Sequence, residues 1–301
     1  MKRSIALAAL VIVTASCSGV DRVTAPPAQP PSDISADVVA AAKKPAGSWN
    51  LVPHGGGVLA PLPVGGVGLR AIFWGSEWNS GNAKWLGDKK NITIFLSHYG
   101  ALYGGILNQY GSTGLTVYFG EQTDGNAAPR AGVDVRNNPD LVRDVVCRQT
   151  NNAPNGNIIY IVYGSTSQGP NHDGGWHWYG NCPATGAGLI FVYVPQPAGG
   201  FAEPGGEKKT GHSVALSGMA NVTAHELAET ITDPFVNTWF SNHPNEVYGT
   251  EIADKCVGLS SAVTLPNGGG LWFVTKLWSN AAYNTQSGAP NLAGLRGCVG
   301  G

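Results

Sequence analysis

The sequence predicts an α/β or α+β fold with one central sheet, a few flanking helices and a loop-rich C-terminal part. Apolar runs of strand length alternate with segments of helical periodicity in the first half of the chain, and loops dominate afterwards. The 301-residue chain is only 12% charged and contains 43 glycines, which suits an exported, loop-rich protein. We assign residues 48–301, roughly 250 residues, to a single domain.

Five apolar runs predict the strands. The run at 157–163 is continuously apolar, as in a strand buried on both faces of a sheet, and we place it at the centre. The strands are expected at 68–74, 115–119, 157–163, 189–194 and, shorter, 271–275.

Three segments predict helices. Residues 91–110 have apolar side chains at helical spacing, although Gly104 and Gly105 interrupt them. An amphipathic helix is expected over 138–148, and a third over 213–232, with a possible break at Gly218. We interpret the glycine- and proline-rich residues 195–212, and the aromatic segment 172–179, as loops.

The N-terminus indicates export. A basic start, a short apolar stretch and small residues up to Cys17 form a signal over 1–17. Cys17 resembles the cysteine of a bacterial lipobox, so we expect its lipidation; ordinary secretion with cleavage nearby is the alternative. The proline-rich residues 18–47 predict a flexible tether. Localisation would be the bacterial cell envelope or the extracellular space, and the lipid would be the only link to a membrane.

Four cysteines remain after Cys17, and an even number in an oxidising compartment predicts two disulfides. Three pairings are possible, and we favour the local one, Cys147 with Cys182 and Cys256 with Cys298. A cysteine metal site is the alternative, but the chain has no pair of cysteines separated by two residues.

The most informative motif is His225-Glu226-Leu227-Ala228-Glu229 on the third predicted helix. Residues four apart share a helix face, so His225 and Glu229 can point at one metal ion. This is the geometry of the His-Glu-x-x-His zinc helix with a carboxylate in place of the second imidazole. Glu226, next to the first ligand, would then accept a proton from a metal-activated water.

A catalytic zinc site requires a third protein ligand. Asp233 lies about 12 Å along the helix from His225, at about 1.5 Å per residue, and we keep it as an alternative ligand or an orienting residue. His177 is a candidate ligand or substrate contact, with a structural role as the alternative. The segment Glu251 to Asp254 resembles the downstream element of gluzincin metallopeptidases. That resemblance implies Glu251 as the third ligand and Asp254 behind His225 as the residue that orients it.

Several islands resemble the phosphate-induced, EXORDIUM-like family. They are 55–59, 69–74, 158–163, 172–179, 225–229 with 232–235, 251–256 and 278–280. The resemblance implies this family's fold and an extracellular location. Plant members are associated with the cell wall and generally lack the His-Glu pair, whereas this chain follows a microbial, zincin-like form of the helix.

Two functions follow from the sequence. The first is an exported zinc-dependent metallopeptidase-like hydrolase that acts on a peptide or cell-surface polymer. The second is a non-enzymatic protein of the cell surface or wall, with a structural ion such as calcium or with none. Nucleic acid is excluded as a partner because the net charge is −1 and there is no basic patch.

Overall fold

The computed structural model describes residues 49–59, 61–62, 65–100, 102–130, 132–166, 174–196, 199–243, 245–246 and 249–301. The export signal 1–17, Cys17 and the tether 18–47 lie outside the described residues, and these assignments remain predictions, as does the domain boundary at 48. Among the helices that are described, none combines the length and apolar character needed to cross a membrane.

The described chain contains short and long elements. The strands are β1 (Val52–Pro53), β2 (Val67–Trp74), β3 (Thr116–Asp124), β4 (Ile158–Gly164), β5 (Trp176–Asn181), β6 (Gly188–Val194), β7 (Trp239–Phe240), β8 (Ser260–Leu265), β9 (Gly270–Thr275), β10 (Leu277–Trp278), β11 (Ala289–Pro290) and β12 (Arg296–Val299). The helices are α1 (Ala83–Tyr99), α2 (Gly104–Leu107), α3 (Asp140–Gln149), α4 (Gly206–Thr210), α5 (Val214–Thr232) and α6 (Asn280–Thr285).

The main sheet has five strands in the order β3-β2-β4-β6-β5. The first four run parallel, and β5 pairs antiparallel with β6 at one edge, from Trp176 opposite Tyr193 to Asn181 opposite Gly188. The three smaller sheets are β1-β7, β10-β12-β11 and β8-β9. The predicted α+β class, with a central mixed sheet and flanking helices, is confirmed.

Helices cover both faces of the main sheet because its strands are apolar on both sides. Along β2, Leu69, Ala71 and Phe73 belong to the core that also contains the buried residues of α1 and α5. The alternate residues Ile72 and Trp74 belong to the core around α3. This alternation fixes α5 on one face of the sheet, next to the β6–β5 edge.

Several predicted boundaries were wrong. The first helix begins at Ala83 and not at 91, because Asn82 caps it by accepting a hydrogen bond from the amide of Lys84, and it ends at Tyr99. The third helix is not broken at Gly218, which is buried within it. The predicted loop 195–212 contains α4, and part of the aromatic segment 172–179 is strand β5. The C-terminal part contains β8, β10–β12 and α6.

Both disulfides follow the pairing that the sequence favours. Cys147 on α3 bonds to Cys182, which comes directly after β5, and Cys256 bonds to Cys298 on β12. Each bond therefore ties a segment close to the site described next into the rest of the molecule.

Candidate metal centre

Helix α5 carries the motif residues into the interior. The side chain of Ser213 caps its start by accepting a hydrogen bond from the amide of Leu216, and Asp233, followed by Pro234, ends it. Almost every residue of its second half is buried, including Glu226 and Glu229. Carboxylates are rarely buried without a partner, so their surroundings determine what they do.

Asp254 approaches the helix from a short turn that follows Glu251. The imidazole Nε2 of His225 lies 3.1 Å from Oε1 of Glu229 and 3.3 Å from Oδ1 of Asp254. The backbone amide of Asp254 also donates a hydrogen bond of 3.0 Å to Oε1 of Glu229. One donor from each of these three side chains lies within 4.8 Å of the others, so the group could hold a metal ion.

His177 projects from the edge strand β5 into the same interior. Its Nδ1 lies 3.5 Å from Oε2 of Glu226 and 3.9 Å from Oε2 of Glu229, and its Nε2 lies 3.6 Å from Oε1 of Glu251. Together with Glu226 and Glu229, His177 forms a second group of potential ligands, and Glu229 is common to both groups. The sequence signal for His177 was weak because its strand is short and follows two glycines.

Asp233 supports the site from the end of α5. Its backbone carbonyl accepts a hydrogen bond from Nε2 of His177 at 3.2 Å. Its Oδ1 accepts hydrogen bonds from the amides of Asn237 and Thr238, at 2.6 Å and 2.7 Å. The carboxylate of Asp233 thus holds the turn after the helix, and its main chain orients His177.

The downstream acids occupy positions that differ from the arrangement implied by gluzincins. Asp254, expected behind His225, lies in direct contact with both His225 and Glu229. Glu251, expected as a ligand beside them, lies against the far nitrogen of His177. All seven candidate residues meet in one region, but the third donor next to His225 and Glu229 is Asp254.

The two histidines are surrounded by negative charge. Burial lowers the pKa of His177, but the charge of Glu251, the hydrogen bond to Glu226 and the charges of Glu226 and Glu229 outweigh it and raise this pKa to about 10. Burial also lowers the pKa of His225, and the charge of Glu229 with the hydrogen bond to Asp254 raises it well above its usual range. The surrounding carboxylates therefore favour a positive charge at each imidazole.

The pKa values of four neighbouring carboxyl groups are raised as well. Burial raises the pKa of Glu229 to about 7, against the lowering effect of His225 and with a further contribution from the charge of Asp254. Burial is also the largest cause of the raised pKa values of Asp233, Glu251 and Asp254. These carboxyl groups are crowded and poorly solvated, so ionising them together is unfavourable unless a cation is present.

The donor set fits a cation. In the part of the chain that the structure describes, five carboxyl groups share the region with two imidazoles: Glu226, Glu229, Asp233, Glu251 and Asp254 with His177 and His225. Among the described residues, no lysine or arginine forms an ion pair with these acids; the nearby Lys255 instead pairs with Glu246 at 2.9 Å. Two carboxylate oxygens, Oδ2 of Asp233 and Oε1 of Glu251, are buried and have no hydrogen-bond partner within the described chain.

The site reaches the surface through a narrow cleft. Its lining includes the backbone of Gly174 and Gly175 together with the side chains of Val222, His225 and Glu226. The cleft volume is about 20 Å³, enough for one water molecule. The side chains of His225 and Asp254 are each 13% exposed, whereas that of Glu229 is 4% exposed. Solvent therefore approaches the His225 side of the site more easily than the Glu229 side.

Comparison with known proteins agrees with the sequence islands that lie between residues 177 and 291. Residues 177–291 match the family model described as the Phosphate-induced protein 1 conserved region. This range begins at the site histidine of β5 and includes α5 and the segment 251–254. This part of the chain is similar to the phosphate-induced, EXORDIUM-like family.

Two plant relatives support the assignment. The chain is 37% identical over 90 residues to Protein EXORDIUM-like 3 and 35% identical over 60 residues to Protein EXORDIUM-like 5, both from Arabidopsis thaliana. These alignments cover 30% and 20% of this chain, and only 23% and 16% of the relatives. The similarity to this family and the two disulfides indicate an extracellular protein.

Proposed function

We propose that this EXORDIUM-like protein is an exported zinc-dependent hydrolase that cleaves peptide bonds. The observation that carries the proposal is the arrangement of His225, Glu229 and Asp254. Two of their donor separations are 3.1 Å and 3.3 Å. These match the spacing of about 3.3 Å expected between ligands that lie about 2.0–2.1 Å from a tetrahedral zinc ion.

The residues have distinct roles in this proposal. His225, Glu229 and Asp254 would hold the zinc, which would lower the pKa of a bound water and polarise a carbonyl group. Glu226 lines the cleft and accepts a proton from a water molecule there. Asp254 replaces Glu251 as the proposed third ligand, and Asp233 keeps an orienting role through His177.

The donor chemistry favours zinc over calcium. Calcium takes six to eight oxygen ligands, whereas His225 offers an imidazole nitrogen at the centre of the first group. Imidazole and carboxylate are both ordinary zinc ligands, and three protein ligands leave one position for water.

A non-enzymatic role is the second candidate, and one observation favours it. Glu229 already binds the Asp254 backbone through Oε1, so the site also joins α5 to the turn at 251–254. In this alternative the acids bind a structural ion or remain without one, and the protein has a non-enzymatic role at the cell surface or wall.

Metal analysis and peptide cleavage distinguish the two. The purified protein should contain about one zinc ion per chain, and His225→Ala and Asp254→Asn should each lose it. Glu251→Gln is the matched control, because Glu251 is a neighbouring acid outside the proposed first ligand set. Loss of zinc on Glu251→Gln but not on Asp254→Asn would reverse the assignment of the third ligand.

Catalysis is tested with a peptide library and the Glu226→Gln variant. This substitution keeps the side-chain volume and should leave the zinc content unchanged while it removes cleavage. Retained cleavage would exclude Glu226 as the proton acceptor. A wild-type protein that holds zinc but cleaves no peptide or cell-surface polymer would favour the non-enzymatic role.

A further inference from the structure

Glu229 lies between the two histidines. Its Oε1 is 3.1 Å from Nε2 of His225, and its Oε2 is 3.9 Å from Nδ1 of His177. The two oxygens of one carboxylate therefore face two different groups of donors. A carboxylate placed in this way can contribute one oxygen to each of two neighbouring cations.

The orientation of His177 is fixed by a group that can only accept a hydrogen bond. Its Nε2 lies 3.2 Å from the backbone carbonyl of Asp233, so Nε2 carries the hydrogen. Nδ1 of the neutral ring then presents a lone pair toward oxygens of Glu226 and Glu229. Three acceptors facing one another require a positive charge between them, either a proton or a metal ion.

A hydrogen bond at the far nitrogen is typical of metal-bound histidines. Such ligands usually donate the other ring N–H to a carboxylate or a backbone carbonyl, which fixes the tautomer and the ring orientation. His177 has this arrangement, with Asp233 as the backbone partner and Glu251 as a nearby carboxylate. The side chains of His177, Glu226 and Glu229 are between 4% and 7% exposed, so water screens their charges poorly.

The backbone around β5 is built for this close approach. A Cβ atom on Gly175 would lie 2.6 Å from Val222 and 2.9 Å from the side chain of Glu226. A glycine at this position lets the start of β5 lie against α5. His177, two residues later on the same face of the strand, is thereby held beside Glu226 and Glu229.

We infer that His177, Glu226 and Glu229 form a second divalent-cation site, which shares Glu229 with the zinc site and blocks hydrolysis when it is filled. The inference rests on the proposed function, in which Glu226 must be free to accept a proton. A cation held by Glu226 prevents that. The donor separations of 3.5 Å and 3.9 Å are longer than those of the first group, so the second site binds zinc more weakly.

The test is a zinc titration of the full protein, stripped of metal, in competition with a chromophoric chelator. The wild type should bind two equivalents, one tight and one weak. His177→Ala should keep the tight equivalent and weaken the second by at least about 10- to 100-fold. His225→Ala should lose the tight equivalent. Asp140→Asn, at an exposed acid on α3 outside both donor groups, is the control and should keep both.

A second variant tests the same site in case His177→Ala misfolds. Glu226→Gln conserves shape and should also lose the weak equivalent while the tight one stays. In a cleavage assay, wild-type activity should rise with the first equivalent of zinc and decrease with the second. The decrease at the second equivalent should be absent in His177→Ala.

The outcomes separate the two proposals. A wild type that saturates at one equivalent overturns the second site and leaves the zinc hydrolase standing, with a proton between His177 and Glu226. The second site is also overturned if His177→Ala and Glu226→Gln each still bind two equivalents of zinc, because the weakly bound zinc then lies elsewhere. A wild type that binds no zinc overturns both proposals.

Discussion

Without bound metal, the protein should lose stability as the pH rises. Glu229 is 3% exposed, and its pKa is raised from its ordinary 4.5 to about 7. The folded chain therefore holds this proton more tightly than the unfolded chain does. Between these two values the unfolded state releases its proton first, so the free energy of unfolding falls with increasing pH.

The magnitude follows from the size of the shift. At 1.36 kcal/mol per pKa unit, Glu229 alone lowers the free energy of unfolding by about 3 kcal/mol between about pH 4.5 and pH 7. His177 acts in the same direction over a later window. Its pKa rises from 6.5 to about 10, so its favourable interactions are complete below about pH 6.5 and are lost as the pH rises toward 10.

Bound zinc should reverse this dependence. Metal binds the deprotonated carboxylates and neutral imidazoles, so its affinity and the stability it adds increase with pH. At a free zinc concentration 100 times the dissociation constant, the added stability is about 2.7 kcal/mol. Chelated and zinc-loaded protein should therefore show opposite slopes of stability against pH.

The assay is urea unfolding at several values from about pH 5 to about pH 7.5, with chelator and with zinc. Glu229→Gln is the control: it keeps the side-chain size, removes one titrating group, and should flatten the slope of the chelated protein. A chelated wild type whose free energy of unfolding stays constant or increases over this range would refute the account of a crowded, buried acid cluster.

Three further features of the scaffold, Gly175, Asp233 and the second disulfide, are tested by urea unfolding. Gly175→Ala should cost about 1–3 kcal/mol, because the new methyl group would lie 2.6 Å from a valine of α5, whereas Gly156→Ala, with its nearest contact at 3.9 Å, should be tolerated. Asp233→Ala should cost about 1–3 kcal/mol by leaving two amides without their acceptor, and Asp233→Asn should cost less. Replacing both Cys256 and Cys298 by serine should cost about 4 kcal/mol, from a separation of 42 residues, and should weaken zinc binding; unchanged zinc affinity would show that this disulfide does not support the site.

The features that sequence reasoning predicted were those with a strong local pattern. The continuous apolar run around Ile161 predicted the central strand β4, and the four-residue spacing of His225 and Glu229 predicted their common face on α5. Both depend on periodicity within one element. The cysteine pairing was also favoured by proximity along the chain.

The parts that sequence reasoning missed depend on tertiary contacts. Strand β5 is defined by its pairing with β6, and its sequence, which follows glycines, is equally typical of a loop. Glu251 and Asp254 are only three residues apart, and spacing does not decide which of them faces His225. That choice follows from the bond between the Asp254 amide and Glu229, and from the disulfide at Cys256.

The disulfide between Cys256 and Cys298 has a consequence for how the protein matures. A growing or translocating chain that has emerged only as far as α5 already carries the histidine and glutamates of the helix. The disulfide that anchors the turn carrying Asp254 forms only after residue 298 has also emerged and been oxidised. Under the proposed function, the turn that supplies the third zinc ligand would therefore be fully anchored only in an oxidising compartment.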